Sequence, residues 1–194
     1  MTELEKKLIL SKEEYEFLIK HFGYDNTTPS KPIIKQINYY YDTDDLSMNR
    51  QNVTCRIRFK DGKYKGTIKR HLPNSEHSTE TDVKVYDGIL KNAFMDMGLK
   101  LQGELITERC IILKDAGCEV VLDKNDYLCH TDYELEIEYA AEHEKDAQTI
   151  MKTFKDMLIR RNGFLSYKED PTHTPKVPSK SSRFFEKKKT KLIN

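Results

Sequence analysis

The stretch YELEIEY carries Glu134, Glu136 and Glu138 at alternate positions, with Tyr133, Leu135, Ile137 and Tyr139 between them. Extended backbone sends successive side chains to opposite faces, so three carboxylates share one side of a strand and four apolar groups the other. The same division recurs along the chain. TCRIRF sets Arg56 and Arg58 against Cys55, Ile57 and Phe59, and YKGTIKR aligns Lys65, Thr67 and Lys69. STETDVKV aligns Glu80, Asp82 and Lys84, TELEKKLIL aligns Glu3, Glu5 and Lys7, TERCIIL offers Arg109, and VVLDK offers Asp123. Like charges in line repel along an open strand, so these strands call for one another, or for ions, as partners. Clustered carboxylate oxygens without His or Cys suit a hard cation, Mg2+ or Mn2+. Arg and Lys suit phosphate oxygens. Two such poles are what polyphosphate transfer needs: one side for a metal, the other for the anion.

The elements that must position these groups follow from pattern. Ser11-Lys12-Glu13-Glu14 is a capping box, opening an amphipathic helix through Tyr15, Phe17, Leu18 and Phe22 to Gly23. IIKQINYYYDT alternates as a strand, and the turn Asp61-Gly62 joins TCRIRF to YKGTIKR as a hairpin. STETDVKV reads as a further strand, Tyr86 to Met97 as a helix closed by Gly98, and ELITERCIIL, CEVVLD and DYELEIEY as three more strands. A long helix is expected from Glu142 to Arg161, closed at Asn162-Gly163. The fold class expected is α+β, a closed antiparallel eight-stranded β-barrel, or tunnel, with helices packed outside. A barrel of about eight strands can hold one small ligand, which places the charged face inward around water, metal and an anion.

The 194 residues suffice for one domain, expected over residues 1–186 with a basic tail at 187–194. Lys+Arg 33 against Asp+Glu 32 excludes the one-signed excess that draws a chain to nucleic acid or membrane surfaces. Cys55, Cys110, Cys118 and Cys129 lack CxxC spacing and are expected as reduced core thiols. The six histidines have no ligand spacing, and neither a GxxxxGK[ST] nor a GxSxG motif occurs. With no secretory pattern and no apolar run of membrane length, a cytoplasmic protein is expected.

Taken in order, ExExK at Glu3-Leu4-Glu5-Lys6-Lys7, then NYYYDT, RIR, GTIKR, TERC, VVLDKNDYL, ELEIE and SKSSRF resemble the CYTH superfamily, the triphosphate tunnel metalloenzymes. The likeness spans nearly the whole chain and points to the small bacterial branch often labelled adenylate cyclase, which is thiamine triphosphatase-like. The resemblance implies a metal-dependent hydrolase of triphosphates: inorganic triphosphate first, thiamine or nucleoside triphosphate next. Its rivals are an adenylyl cyclase making cyclic AMP from ATP and a non-catalytic polyphosphate-binding module. It assigns Glu3, Glu5, Glu80, Asp123, Glu134 and Glu136 to the metal side, leaving open which two of Glu134, Glu136 and Glu138 touch the ion. Lys7, Arg56, Arg58, Lys65, Lys69, Arg109, Lys180 and Arg183 become the substrate-binding set, with Glu3, Arg58 and Lys69 as catalytic residues. Many members carry an Arg where this chain has Ser78-Thr79-Glu80. The expected partner is a small-molecule triphosphate, with no nucleic acid and no membrane, bound by a monomer or homodimer. The segment Ser179 to Phe185 is expected as a mobile cationic flap, docked by Phe184 and Phe185.

Overall fold

The structure, a computed structural model, describes residues 4–24, 32–71, 78–115, 117–168 and 177–193. Chain order is β1 (Leu4–Leu10), α1 (Lys12–His21), β2 (Ile34–Asp42), α2 (Ser47–Arg50), β3 (Val53–Lys60), β4 (Lys63–His71) and β5 (Ser78–Val83). There follow β6 (Val85–Asp87), β7 (Lys91–Asn92), α3 (Ala93–Asp96), β8 (Lys100–Asp115), β9 (Cys118–Tyr127) and β10 (His130–Tyr139). A 3-10 turn (Ala141–His143), α4 (Glu144–Asn162) and α5 (Lys180–Ile193) complete it. Eight strands form one sheet in the order β1-β10-β9-β8-β2-β3-β4-β5, while β6 and β7 pair separately. The class is α+β around an eight-stranded antiparallel sheet, as expected.

The closed barrel is corrected. β1 and β5 are the two ends of the hydrogen-bonded order, so the sheet is open among the described residues. β5 spans only six residues, and Thr79 to Asp82 are exposed on both faces. Its alternation of charge therefore does not separate an interior from water; it marks a short charged edge strand.

The chain divides into two compact units. The first comprises Met1–Ile34, Glu108–Asn125 and Thr131–Asp170. In it, α1 and α4 bury Leu18, Ala147, Met151, Phe154 and Leu158 against Leu8, Leu10, Ile112, Val120, Leu122, Leu135 and Ile137 of the strands. The Ser11/Glu14 capping box starts α1, and Gly163, at φ 80, closes α4. The second unit comprises Lys35–Thr107, Asp126–His130 and Pro171–Asn194. Here consecutive residues of β2 serve two clusters: Tyr41 packs with Val53, Cys55, Ile57, Phe94 and Leu99, and Tyr40 with Leu46, Leu105, Tyr127, Phe184 and Phe185. The β3–β4 turn takes its left-handed geometry from Asp61 at φ 51 and Gly62 at φ 74.

Three further expectations change. Tyr86 to Met97 is not one helix, because Gly88 sits at φ 54 and buried Asn92 caps only the single turn of α3, accepting from Phe94 N at 3.1 Å. The expected tail boundary at 186/187 falls inside α5, whose Phe184 and Phe185 are fully packed and extend order into the lysine run. Cys129 is exposed in a turn at φ 59, unlike the three buried cysteines. No helix among the described residues is long and apolar enough to cross a membrane.

Candidate active site

The carboxylates gather in the first unit. β1 pairs with β10 so that Lys7 faces Glu136, Glu5 faces Glu138 and Ile9 faces Glu134. With Leu135 and Ile137 in the helix-covered core, the opposite face carries Glu134 and Glu136, and all four are buried. Asp123 of β9 joins them, and ligand oxygens of Asp123, Glu134 and Glu136 lie within 4.8 Å of one another. Asn125 bridges the group, its Nδ2 donating to Glu134 Oε1 and to Asp132 Oδ1, each at 2.9 Å. Of the three β10 glutamates, Glu134 and Glu136 stand together with Asp123, and Glu138 accepts from Arg109.

Two cations meet these acids. Lys7 Nζ lies 3.0 Å from Glu5 and 3.2 Å from Glu136. Arg109 donates through Nε and Nη2 to both oxygens of Asp123 at 2.9 and 2.8 Å, and through Nη2 to Glu136 at 2.5 Å. Its Nη1 donates to Glu138 at 2.6 Å. Burial opposes the charge on Arg109, but Asp123, Glu136 and Glu138 outweigh it and hold the guanidinium charged above its ordinary range. Glu5, Asp123, Glu134, Glu136 and Glu138 against Lys7 and Arg109 leave a formal net of −3. An all-oxygen, buried, negatively charged donor set fits a hard divalent cation. Arg109, expected among phosphate contacts, is instead engaged by acids, because Asp123, Glu136 and Glu138 all face it from β9 and β10. Glu5 is 43% exposed at the margin of the group, and Glu3 lies outside the described residues.

The remaining cations collect in the second unit, on the face of β2–β4 that carries Asn38, Tyr40, Arg56, Arg58, Thr67 and Lys69. Register sets Asn38 opposite Arg58, Tyr40 opposite Arg56, and Arg56 opposite Thr67. Arg58 Nε donates to Asn38 Oδ1 at 2.9 Å, and Arg56 Nη2 donates to Thr67 Oγ1 at 3.4 Å. Glu80, expected as a metal ligand, stands beside cations, 3.5 Å from Lys69 and 4.0 Å from Arg56. Lys65 is 65% exposed and pairs with Asp82 at 3.1 Å, because it lies toward the open turn of the hairpin. From α5, Lys180 and Arg183 act electrostatically on the fully buried Tyr40 together with Arg56 and Arg58. Burial nevertheless pushes that phenol up, so it stays neutral. Ser179 Oγ caps α5 by accepting from Ser182 N at 3.1 Å, and Ser181 reaches Thr54 of β3 at 3.3 Å. Sequence reasoning missed Asn38, Asn125 and Asp132. Asn38 and Asn125 were present in the alternation but, as uncharged polar side chains, carried no weight in it, whereas Asp132 continues the Glu134, Glu136 and Glu138 face one alternate step earlier and could have been read from it.

A family model for the CYTH domain matches residues 1–163. The YjbK protein of Bacillus subtilis strain 168, which carries the name of a candidate triphosphatase, is 31% identical over 156 residues, covering 73% of this chain and 80% of its own. A solved structure from Bacillus halodurans, named as a candidate adenylate cyclase, superposes with a TM-score of 0.63 at 26% identity over 95% of this chain and 100% of its own. HpAC1 of Hippeastrum, named as a candidate adenylyl cyclase and described as revealing a dominant triphosphatase activity, gives a TM-score of 0.61 at 18% identity over 96% of each chain.

Proposed function

This chain belongs to the CYTH domain family, and from that premise we propose that it is a divalent-metal-dependent triphosphatase. It hydrolyses the terminal phosphoanhydride of a triphosphate, inorganic triphosphate first and thiamine or nucleoside triphosphate next. The observation that carries this reading is the buried trio Asp123, Glu134 and Glu136, whose ligand oxygens lie within 4.8 Å of one another. An acidic group so enclosed is poorly explained by stability alone, since burying like charges is costly. The name of the YjbK relative supports the same activity.

Asp123, Glu134 and Glu136, with Glu5 at the margin, would hold Mg2+ or Mn2+, which would neutralise phosphoryl charge and make a bound water more acidic. The chain's own residues do the rest. Arg58 and Lys69 hold phosphoryl oxygens and stabilise the charge that spreads over them as the bond to the leaving diphosphate breaks. Arg56, Lys180 and Arg183 extend that donor set. Lys7 and Arg109 hold the carboxylates in place. A water is consumed, its oxygen bonding to the terminal phosphorus and its proton leaving to solvent or to a carboxylate.

The test is a panel of inorganic triphosphate, thiamine triphosphate and ATP, with and without Mg2+ or Mn2+, read for both phosphate and cyclic nucleotide. Metal-dependent phosphate release that disappears in Glu136→Gln is expected. Cyclic AMP as the main product from ATP, or binding with no turnover on any substrate, overturns the reading.

A further inference from the structure

Two buried donors on the basic face of the second unit lack an acceptor among the described residues: Asn38 Nδ2 and Arg56 Nε. They sit on neighbouring strands one alternate step apart, since Asn38 faces Arg58 and Tyr40 faces Arg56. Asn38 is 1% exposed, so bulk water does not serve it. Its orientation is fixed by chemistry. A guanidinium only donates, so the bond from Arg58 Nε must end on Asn38 Oδ1, and the amide NH2 must point elsewhere. Buried amides in native proteins nearly always have partners, and a side chain needed only to hold Arg58 would not leave two hydrogens unused. Orphan donors beside the cations Arg56, Arg58, Lys180 and Arg183 call for a group that only accepts.

We propose that Asn38 is a specificity-determining residue of the polyphosphate site, its Nδ2 donating to a non-bridging phosphoryl oxygen while its Oδ1 holds Arg58 for the same anion. The proposal rests on the triphosphatase reading and deepens it. A neutral donor bonds an ionised oxygen more strongly than a protonated one, so it favours a fully ionised phosphoryl group without adding charge that would retain the product. Arg56 Nε, on the adjacent strand, is available to a neighbouring oxygen of the same chain of phosphates.

Calorimetric titration of the full chain with inorganic tripolyphosphate in metal-free buffer tests this through a double-mutant cycle of Asn38→Ala and Arg58→Ala. If Asn38 acted only through Arg58, removing it in the Arg58→Ala background would cost nothing. The expected result is a further weakening of about tenfold or more in that background, the scale of one hydrogen bond to a charged group. The Asn38 increment is expected to hold when ionic strength is raised, whereas the Arg58 increment shrinks as salt screens it. Asn38→Leu, similar in size and apolar, repeats the measurement should the alanine variant melt early. Wild-type binding with no Asn38 increment in the Arg58→Ala background overturns the proposal alone. Absence of tripolyphosphate binding by the wild type overturns the anion site itself, and the proposal with it.

Discussion

Arg109 makes four hydrogen bonds to three carboxylates, two of which, Asp123 and Glu136, are nearly inaccessible to water. Removing one member of a buried ion group strands the charges it compensated, and such losses run to about 3–5 kcal/mol. Arg109→Met is therefore expected to destabilise the chain on that scale at neutral pH, measured by urea unfolding. Mg2+ or Mn2+ should restore the variant's midpoint by more than it raises the wild type's, because the ion takes over the missing charge. An equal metal response in both proteins would remove Arg109 from the ion site. The basic residues separate by exposure. Arg58→Ala and Lys69→Ala should each lose on the order of a hundredfold in kcat/KM, the scale of preorganised charge stabilisation. Lys65→Ala should leave kcat/KM within about twofold, since an exposed pair with Asp82 contributes little.

At the scale of elements, α5 is held by aromatic packing rather than by its charges. Phe184 lies 4.8 Å from the Tyr40 ring by centroid and 6.2 Å from Tyr127, and Phe185 packs on the same tyrosine. β8 makes room for it at Gly103, where a Cβ would stand 3.0 Å from Phe184 Cζ on a backbone at φ 146. Gly103→Ala should cost on the order of 1–3 kcal/mol and loosen α5, seen as faster amide exchange in Lys180–Ile193. Truncation after Val177 should abolish tripolyphosphate binding. Truncation after Glu186 should weaken it as well, because a seven-residue remnant is marginal as a helix and loses the bond from Lys188 Nζ to Gln102 O at 2.8 Å. On the other unit, α4 is tied to β1 and β10 by Glu144. Hydrogen bonds from Lys6 and then Tyr139 pull its carboxyl from 4.5 to about 2. A depressed carboxyl stabilises the fold above its unfolded value, so this contribution is complete above pH 4.5 and is lost as pH falls toward 2. The group is largely solvated, which limits the effect to about 1 kcal/mol or less. The stability gap between wild type and Glu144→Gln should narrow over that window and be gone below it.

Across the whole molecule, near-neutrality hides segregation. The formal net charge is +1, yet one unit gathers an acidic group of formal net −3, with Asp123, Glu134 and Glu136 buried, and the other carries a face of arginines and lysines. Affinity for ions should therefore be local and chemically selective. Mn2+ and tripolyphosphate should each stabilise the fold by roughly 2.7 kcal/mol at a hundredfold excess over Kd, and together they should raise the melting temperature beyond the sum of their separate effects. Duplex DNA at equal phosphate concentration should produce no shift. A DNA shift equal to that of tripolyphosphate would mean that surface charge, not a built site, does the binding.

The alternation of charged and apolar residues by itself determined the strands, the separation of their two faces, the capped start of α1 and the hairpin at Asp61-Gly62, because each depends on neighbours in the chain. It also determined which residue types share a face: Glu134 and Glu136 stand together by period-two spacing along β10, whereas Asp123 joins them through the pairing of β9 with β10. Only tertiary structure decided what each charge meets. Arg109 turned to carboxylates because β9 lies beside β8 and β10 next after it, Glu80 turned to Lys69 because β4 flanks β5, and Lys65 stayed in water near the hairpin turn. The ordering of the lysine-rich C-terminus was equally invisible, since Phe184 and Phe185 gain a helix only through the Tyr40 and Tyr127 rings that await them from distant positions. Closure of the sheet was the last thing a strand pattern could settle. Alternation says that a strand has two faces, while pairing at its edge depends on a partner that the pattern does not specify.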